Sequence, residues 1–530
     1  MRSSPAYPNV GKFLSQRAKE DPSQVFAYYK DERITLEELD AKSNSIANSL
    51  RNLGVDKGKK VAIISHTNLE YLIAEFGIFK TGAICVPMNS MLKAHEFSYL
   101  LENADVDFAF VHSNYEMEFL DAQGVRKLPY ATMDQNDEGE RSFAKLLEGS
   151  QDPPYVVSGP DDVACIMYTS GTTGSPKGVV YEHYGLLPQN NETYVQQMMD
   201  VIGLGPEDTT YLPFALYHIL GQVHIVGALR NGGKIAFTEK FSVSRFWEEV
   251  RKYGATVLVH QGASIPLLLK QPESDMDKRH SARVSVGAGV PSEEAWRQFE
   301  SRFGARVYEH YAQTEGSFFG AGTMPTNKPG TIGLPYPSAE VRILDQNDVD
   351  VEAGKAGQLA SRLKPEYARK TPAELYYKDP SKGISRFTQD GWFRSGDIVR
   401  KDSEGYYRYV GKVETFIRYR GENISPLQIE AVVSKHEAVD ECIAIGVPNI
   451  EFGGEDIKIV IAKKTGRTLS PQQLIAWCED KFPKYMIPRF VEFVPELRKT
   501  EQTKKIIRNE YRDNSPATWD RLSSISGETK

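Results

Sequence analysis

Residues Lys59–Asn89, KKVAIISHTNLEYLIAEFGIFKTGAICVPMN, decide the fold class. KKVAIISH reads as a buried strand. In the following segment Leu69, Leu72, Ile73 and Phe76 recur at helical spacing and predict one apolar helical face. Gly82 ends that helix, and AICVPMN resumes as a strand. Two strands joined by so short a helical crossover predict a parallel sheet. The alternation recurs downstream. A helical SRFWEEVRKYG leads into the strand ATVLVHQ (Ala255–Gln261), and SEEAWRQFESRFG leads into ARVYEHY (Ala305–Tyr311).

Beyond about residue 410 the elements shorten. SPLQIEAVVSKHE predicts a helix with a capping box formed by Ser425 and Gln428 and with Pro426 at its first position. SPQQLIAWCEDKF repeats the signal with Ser470, Pro471 and Gln473. Between them DIKIVIAKK alternates through Ile457, Ile459 and Ile461, as a half-buried strand does. The chain therefore reads as α/β. A large N-terminal domain of layered sheets and helices spans residues 1–411, and a small α+β domain spans 412–530.

A chain of 530 residues exceeds one ordinary core, which agrees with this division. The net charge of -7 argues against a general nucleic-acid binder, which needs a basic face. Cys85, Cys165, Cys442 and Cys478 are widely spaced and suit buried thiols in a reducing compartment. The first residues lack the apolar core of a signal peptide, and no apolar run approaches the ~20 residues that cross a bilayer. A cytoplasmic protein is expected, its polar C-terminal tail frayed.

Tyr168–Gly178, YTSGTTGSPKG, is too long and too polar for an ordinary turn between the apolar runs on either side. Its glycines let backbone N–H groups converge, its hydroxyls add donors and Lys177 adds a cation. Together these make a nest for phosphate oxygens. It is not a Walker loop, because Pro176 stands before the lysine where that motif requires glycine.

This stretch resembles the phosphate-binding loop of the adenylate-forming superfamily of acyl-CoA synthetases, luciferases and peptide-synthetase adenylation domains. Further motifs follow in the superfamily's order: LPFALYHILGQ (Leu212–Gln222), VGAGVP (Val286–Pro291), YAQTEG (Tyr311–Gly316), GTIGLP (Gly330–Pro335), GWFRSGD (Gly391–Asp397) and GKVETFIRYRGENISPLQIE (Gly411–Glu430). The texture from Phe246 to Gly316 narrows the resemblance to carnitine/crotonobetaine-CoA ligases and fatty-acid-transport-type acyl-CoA synthetases. It implies a distorted barrel within the large domain and a mobile small domain.

The resemblance also implies roles. Thr169, Ser170, Gly171, Thr172, Thr173, Gly174 and Lys177 would hold the β- and γ-phosphates of ATP. Thr314 would touch the α-phosphate, and Glu315 would ligate Mg²⁺. Tyr311 would stack on adenine, with Ala312 and Gln313 beside it and with Gly287, Ala288 and Gly289 admitting the nucleotide. Asp397 would accept the ribose hydroxyls, and His218 would stand at the acyl-pocket entrance. Arg418, Arg420 and Gly421 would face CoA. Three positions depart from the pattern: Lys412 replaces an arginine, Glu414 occupies the hinge position, and the C-terminal lysine loop lacks its glycine. Counting from Thr500 makes Lys504 the catalytic lysine. Counting back through Ile506, Arg508 and Arg512 makes it Lys505, the reading adopted.

The expected activity is two-step: a carboxylate attacks ATP to give acyl-AMP and pyrophosphate, and the thiol of CoA then takes the acyl group. A fatty acid is the first expectation for the acid, a short or carnitine-type acid the second. A carrier-protein acceptor and a nucleotide- or acyl-binding relative without chemistry are the alternatives. A monomer or homodimer is expected.

Overall fold

The computed structural model describes every residue except 1–8, 125–126, 134–138, 140–141, 156–157, 170–175, 188–199, 201, 262–263, 290–291, 321–327, 365–373, 414–416, 420–421, 450–454, 480, 483–485, 500–505 and 526–530. Two compact units result. The first comprises Met1–Val341 with Ser361–Phe393, and the second comprises Arg342–Ala360 with Arg394–Lys530. This division by compactness differs from the boundary expected at 411/412, which concerns where the chain hinges.

In chain order the first unit contains β1 (Val25–Tyr29), β2 (Glu32–Thr35), β3 (Lys60–Ile64), β4 (Ile84–Pro87), β5 (Phe108–Val111), β6 (Tyr130–Thr132), β7 (Val163–Thr169), β8 (Lys177–Glu182), β9 (Thr209–Leu212), β10 (Lys234–Phe237), β11 (Val257–Gln261), β12 (Val284–Ala288), β13 (Arg306–Glu309), β14 (Tyr311–Gln313), β15 (Gly316–Gly320) and β16 (Leu334–Pro335). One six-stranded sheet runs β6-β5-β3-β4-β7-β8, parallel except for the final β7–β8 hairpin. A seven-stranded sheet runs β13-β12-β11-β9-β10-β1-β2, parallel except for β2. The parallel order predicted from Lys59–Asn89 is therefore present. β14, β15 and β16 form a three-stranded sheet in that order.

The helix Leu69–Thr81 starts where expected. The Asn68 side chain accepts the N–H of Tyr71, and Gly82 closes the helix in the left-handed conformation at φ 78°. Its single apolar face is a correction, because every residue of it except Glu70 is buried. The helices Val10–Glu20 and Leu36–Asn52 pack against it, as do the strands β3 and β4. Even Glu75 and Lys80 are enclosed, and each is matched by a polar partner. Lys80 Nζ donates to the Asp40 carbonyl at 2.9 Å and to Asn44 Oδ1 at 2.7 Å, beside the Asp40 carboxylate.

The second unit carries most of a sheet of β17 (Ala339–Leu344), β18 (Ala356–Leu363), β19 (Phe393–Lys401) and β20 (Tyr407–Lys412), in that order. It also holds a hairpin of β21 (Ile417–Tyr419) and β22 (Glu422–Ile424), and a sheet of β23 (Val439–Pro448), β24 (Glu455–Lys463), β25 (Phe490–Val494) and β26 (Trp519–Asp520). Two expectations are corrected here. β24 is buried on both faces because Ile457, Ile459 and Ile461 pack into one apolar cluster and Val460 and Ala462, alternating with them, pack into another. Its Lys458, fully enclosed, donates to the Asp513 carbonyl and pairs with Glu492, both at 2.7 Å. The two capping signals also diverge. Ser470 and Gln473 form the reciprocal box, at 3.2 and 2.9 Å. Ser425 makes no side-chain cap, and its hydroxyl instead donates to the Val410 carbonyl at 2.7 Å.

All four cysteines are buried and free, as expected. Among the described residues no helix is long and apolar enough to cross a membrane.

Candidate active site

The phosphate-loop stretch begins and ends on paired strands. Thr169, at the end of β7, faces Lys177, the first residue of β8, in antiparallel register. The hairpin thus brings both ends of the polar loop together. Ser170, Gly171, Thr172, Thr173 and Gly174 lie outside the described residues. Both strands follow from the flanking apolar runs, and Gly178 is required: an added Cβ would come within 2.7 Å of the Ile166 side chain.

Lys177 is half-buried, and its ammonium stands over the ring of Tyr376, 5.3 Å from the centroid. That ring is 2 % exposed, and its backbone bridges Val179 of β8. The Tyr376 hydroxyl donates to Glu315 Oε1 at 2.7 Å. Burial, and after it the Glu315 charge, raises the Tyr376 phenol well above its ordinary range, so it remains a donor. Glu315 follows Thr314 in the turn between β14 and β15, and the Thr314 carbonyl accepts the Tyr181 hydroxyl of β8. Two tyrosines therefore tie the phosphate-loop hairpin to the turn that carries Thr314 and Glu315. On β14, Gln313 Nε2 donates to the Tyr311 hydroxyl at 2.9 Å, with Ala312 between them.

This places a cation, a carboxylate and hydroxyl groups side by side, as a polyphosphate with a hard cation needs. A half-buried carboxylate such as Glu315, with one oxygen engaged by Tyr376, suits Mg²⁺, which prefers oxygen ligands. Among the described residues no group of three or more His, Cys, Asp and Glu side chains is arranged to hold a metal.

Gly287, Ala288 and Gly289 lie at the carboxyl end of β12. Gly287 has no alternative, since a Cβ there would meet the His260 carbonyl oxygen at 1.8 Å. Gly289 adopts φ 99°, which side chains rarely tolerate, and its N–H is accepted by Glu309. His218 is exposed, precedes the helix Ile219–Asn231, and packs its ring against Tyr217 at 4.4 Å.

The second unit holds Asp397 and Lys412, opposite one another in the β19–β20 register. Asp397 is 4 % exposed, and its N–H is accepted by Ser395 Oγ at 3.0 Å. Lys412 is exposed. Glu414, expected at the hinge, Arg420 and Gly421, expected to face CoA, and Lys504 and Lys505, the candidates for the catalytic lysine, lie outside the described residues. Of Arg418 only its place in β21 is described.

Residues 14–365 match the AMP-binding enzyme family, and residues 428–504 match the AMP-binding enzyme C-terminal domain. The chain belongs to the AMP-binding enzyme family. Such an enzyme joins a carboxylic acid to AMP at the expense of ATP. Among curated relatives, the crotonobetaine/carnitine–CoA ligase of Salmonella heidelberg is 29 % identical over 485 residues, covering 89 % of this chain and 92 % of its own. The fold is that of ATP-bound MatB from Rhodopseudomonas palustris, with TM-score 0.84 and 24 % identity over 95 % of this chain and 98 % of that one. The anthranilate CoA ligase AuaEII in complex with anthranoyl-AMP is 25 % identical, with TM-score 0.82, covering 96 % of this chain and 97 % of its own. The expected fold class and superfamily both stand.

Sequence reading missed Tyr376 and Tyr181. Tyr376 meets Glu315 across 61 residues of chain, and no periodicity or motif spacing signals that pairing.

Proposed function

We propose that this protein is an ATP-dependent acid–CoA ligase. It activates a carboxylic acid as acyl-AMP, releases pyrophosphate and passes the acyl group to CoA. The observation that carries the reading is Tyr376, which holds Glu315 by its hydroxyl and receives Lys177 on its ring.

Attack of a carboxylate on the α-phosphorus concentrates negative charge, so fixed donors and cations lower the barrier. Lys177, with Thr169 and the loop residues Ser170–Gly174, holds the β- and γ-phosphates, and Thr314 faces the α-phosphate. Glu315 would hold Mg²⁺, which supplies positive charge to the phosphate oxygens. Tyr311 stacks on adenine beside Ala312 and Gln313. Gly287–Gly289 admit the nucleotide, and Asp397 accepts the ribose hydroxyls with Lys412 nearby. Lys505 bridges carboxylate and α-phosphate, and Lys504 is the alternative. Glu414 is the hinge between residues 1–411 and 412–530, while Arg418, Arg420 and Gly421 meet CoA. The protein acts in the cytoplasm as a monomer or homodimer.

Acid-dependent ATP–pyrophosphate exchange without CoA tests the first step. Exchange with one class of acid is the expected result. ATP binding with no exchange for any acid would instead identify a binding protein. Lys505→Ala should abolish exchange yet keep thioester formation from supplied acyl-AMP, and undiminished exchange would move the role to Lys504.

A further inference from the structure

A row of polar residues crosses the carboxyl ends of three parallel strands. His260 of β11 pairs in register with Gly287 of β12, and Gly287 pairs with Glu309 of β13. His260 Nδ1 lies 2.9 Å from Ser285 Oγ, and its Nε2 lies 3.5 Å from Glu309 Oε2. His310 follows Glu309 directly, and His224 reaches the group from the helix Ile219–Asn231, near enough to both histidines to interact electrostatically. His224, His260, Glu309 and His310 are all buried. Among the described residues neither ring nitrogen of His224 has a hydrogen-bond partner.

A core that encloses a bare imidazole pays twice, once for each nitrogen removed from water. Burial drives His224 and His310 down to about 3, so these rings stay neutral at physiological pH. Each neutral ring keeps one donor and one acceptor. The residues form no metal-binding group. Their position, at the carboxyl ends of parallel strands beside the glycines of β12, is where open α/β sheets take their ligands.

We infer that His224, backed by His260, forms the far end of the acid-binding site, and that the acid carries a second, uncharged hydrogen-bonding group such as a hydroxyl or carbonyl. This rests on the acid–CoA ligase reading and names its substrate class. A purely hydrocarbon chain laid against His224 leaves both nitrogens unpaired in the complex, whereas a hydroxyl can donate to one of them. Sites built to pair a substrate hydroxyl discriminate strongly against the analogue lacking it.

The test is pyrophosphate exchange, together with calorimetric binding in the presence of ATP, for acids matched in size. Suitable pairs are β-hydroxybutyrate against β-methylbutyrate, para-hydroxybenzoate against para-methylbenzoate, and ω-hydroxyhexanoate against heptanoate. At least one hydroxy acid should be favoured about tenfold or more over its partner. His224→Leu should erase that preference, and His224→Gln, which keeps a donor and an acceptor, should restore part of it. Preference for the hydrocarbon member of every pair by the unsubstituted enzyme overturns the inference without touching the ligase reading. So does a ratio unchanged in His224→Leu. Selective binding of a hydroxy acid with no exchange would keep the inference and overturn adenylation. Neither binding nor exchange with any acid would overturn both.

Discussion

Lys80 and Lys177 carry the same side chain in the same unit, and their surroundings use it differently. Lys80 is sealed between helices, with carbonyl, amide and carboxylate oxygens around its ammonium. Burial pulls it down to about 8 even with Asp40 opposing the shift. Lys177 stands half-buried at the end of a hairpin, against the face of a ring whose hydroxyl is engaged by Glu315. A charge meant to hold helices together is surrounded by fixed oxygen partners. The charge proposed to meet a polyanion is positioned by a weaker, exchangeable contact that a phosphate would displace.

That contrast can be broken by substitution. Lys80→Ala should lower unfolding free energy by about 3 kcal/mol, because it strips a buried pair of one partner. Urea denaturation measures it, and the KM for ATP of the protein that remains folded should be unchanged. Lys177→Ala should do the reverse. Pyrophosphate exchange at subsaturating ATP should fall about a hundredfold, while the denaturation midpoint stays put. A loss of stability there, or of ATP affinity at Lys80, would erase the distinction.

Glu75, on the same helix as Lys80, sharpens the comparison because it lacks a cation. Gln222 Nε2 donates to it at 2.7 Å, and burial pushes its carboxyl up to about 8. Tyr71 and Cys85 interact electrostatically with it, and burial raises both. The folded state keeps the proton that the unfolded chain releases above its ordinary value of about 4.3. Stability from this group is therefore full below about pH 4 and is lost as pH rises toward 8. Glu75→Gln should gain on the unsubstituted protein by up to about 1.4 kcal/mol per pH unit across that window. A flat difference from pH 5 to 8 would refute the buried proton. The smallest effect belongs to Tyr376→Phe, which keeps the ring under Lys177 and removes the hydroxyl from Glu315. A rise of about tenfold in the Mg²⁺ concentration needed for half-maximal exchange is expected, with little change in stability.

Much of the proposed site can be read from the sequence because its motifs are local. The Thr169–Lys177 stretch, Tyr311–Gly316 and Gly287–Gly289 each gather their residues within a few positions, where spacing reports geometry directly. Tyr376 was not legible, since its value lies in meeting β8 and Glu315 at once. The histidines of the polar row are drawn from a helix, from β11 and from the residue that follows β13, and each alone reads as a core residue. The two serine caps make the point at the smallest scale: Ser425 and Ser470 share a local signal, and only a distant carbonyl at Val410 separates them.

The sequence by itself determined the alternation of strand and helix, the parallel order it implies, and the family with its ATP chemistry. Apolar periodicity and glycine placement are local properties of the chain, and they survive without knowledge of partners. Tertiary structure alone decided which faces are covered. The helix Leu69–Thr81 and strand β24 are enclosed on both sides because neighbours distant in sequence pack over the face that would otherwise meet water. It also decided which charges are sealed inside, which are left half-exposed, and which buried imidazoles stand together, because burial and pairing depend on the side chains that long-range packing brings near.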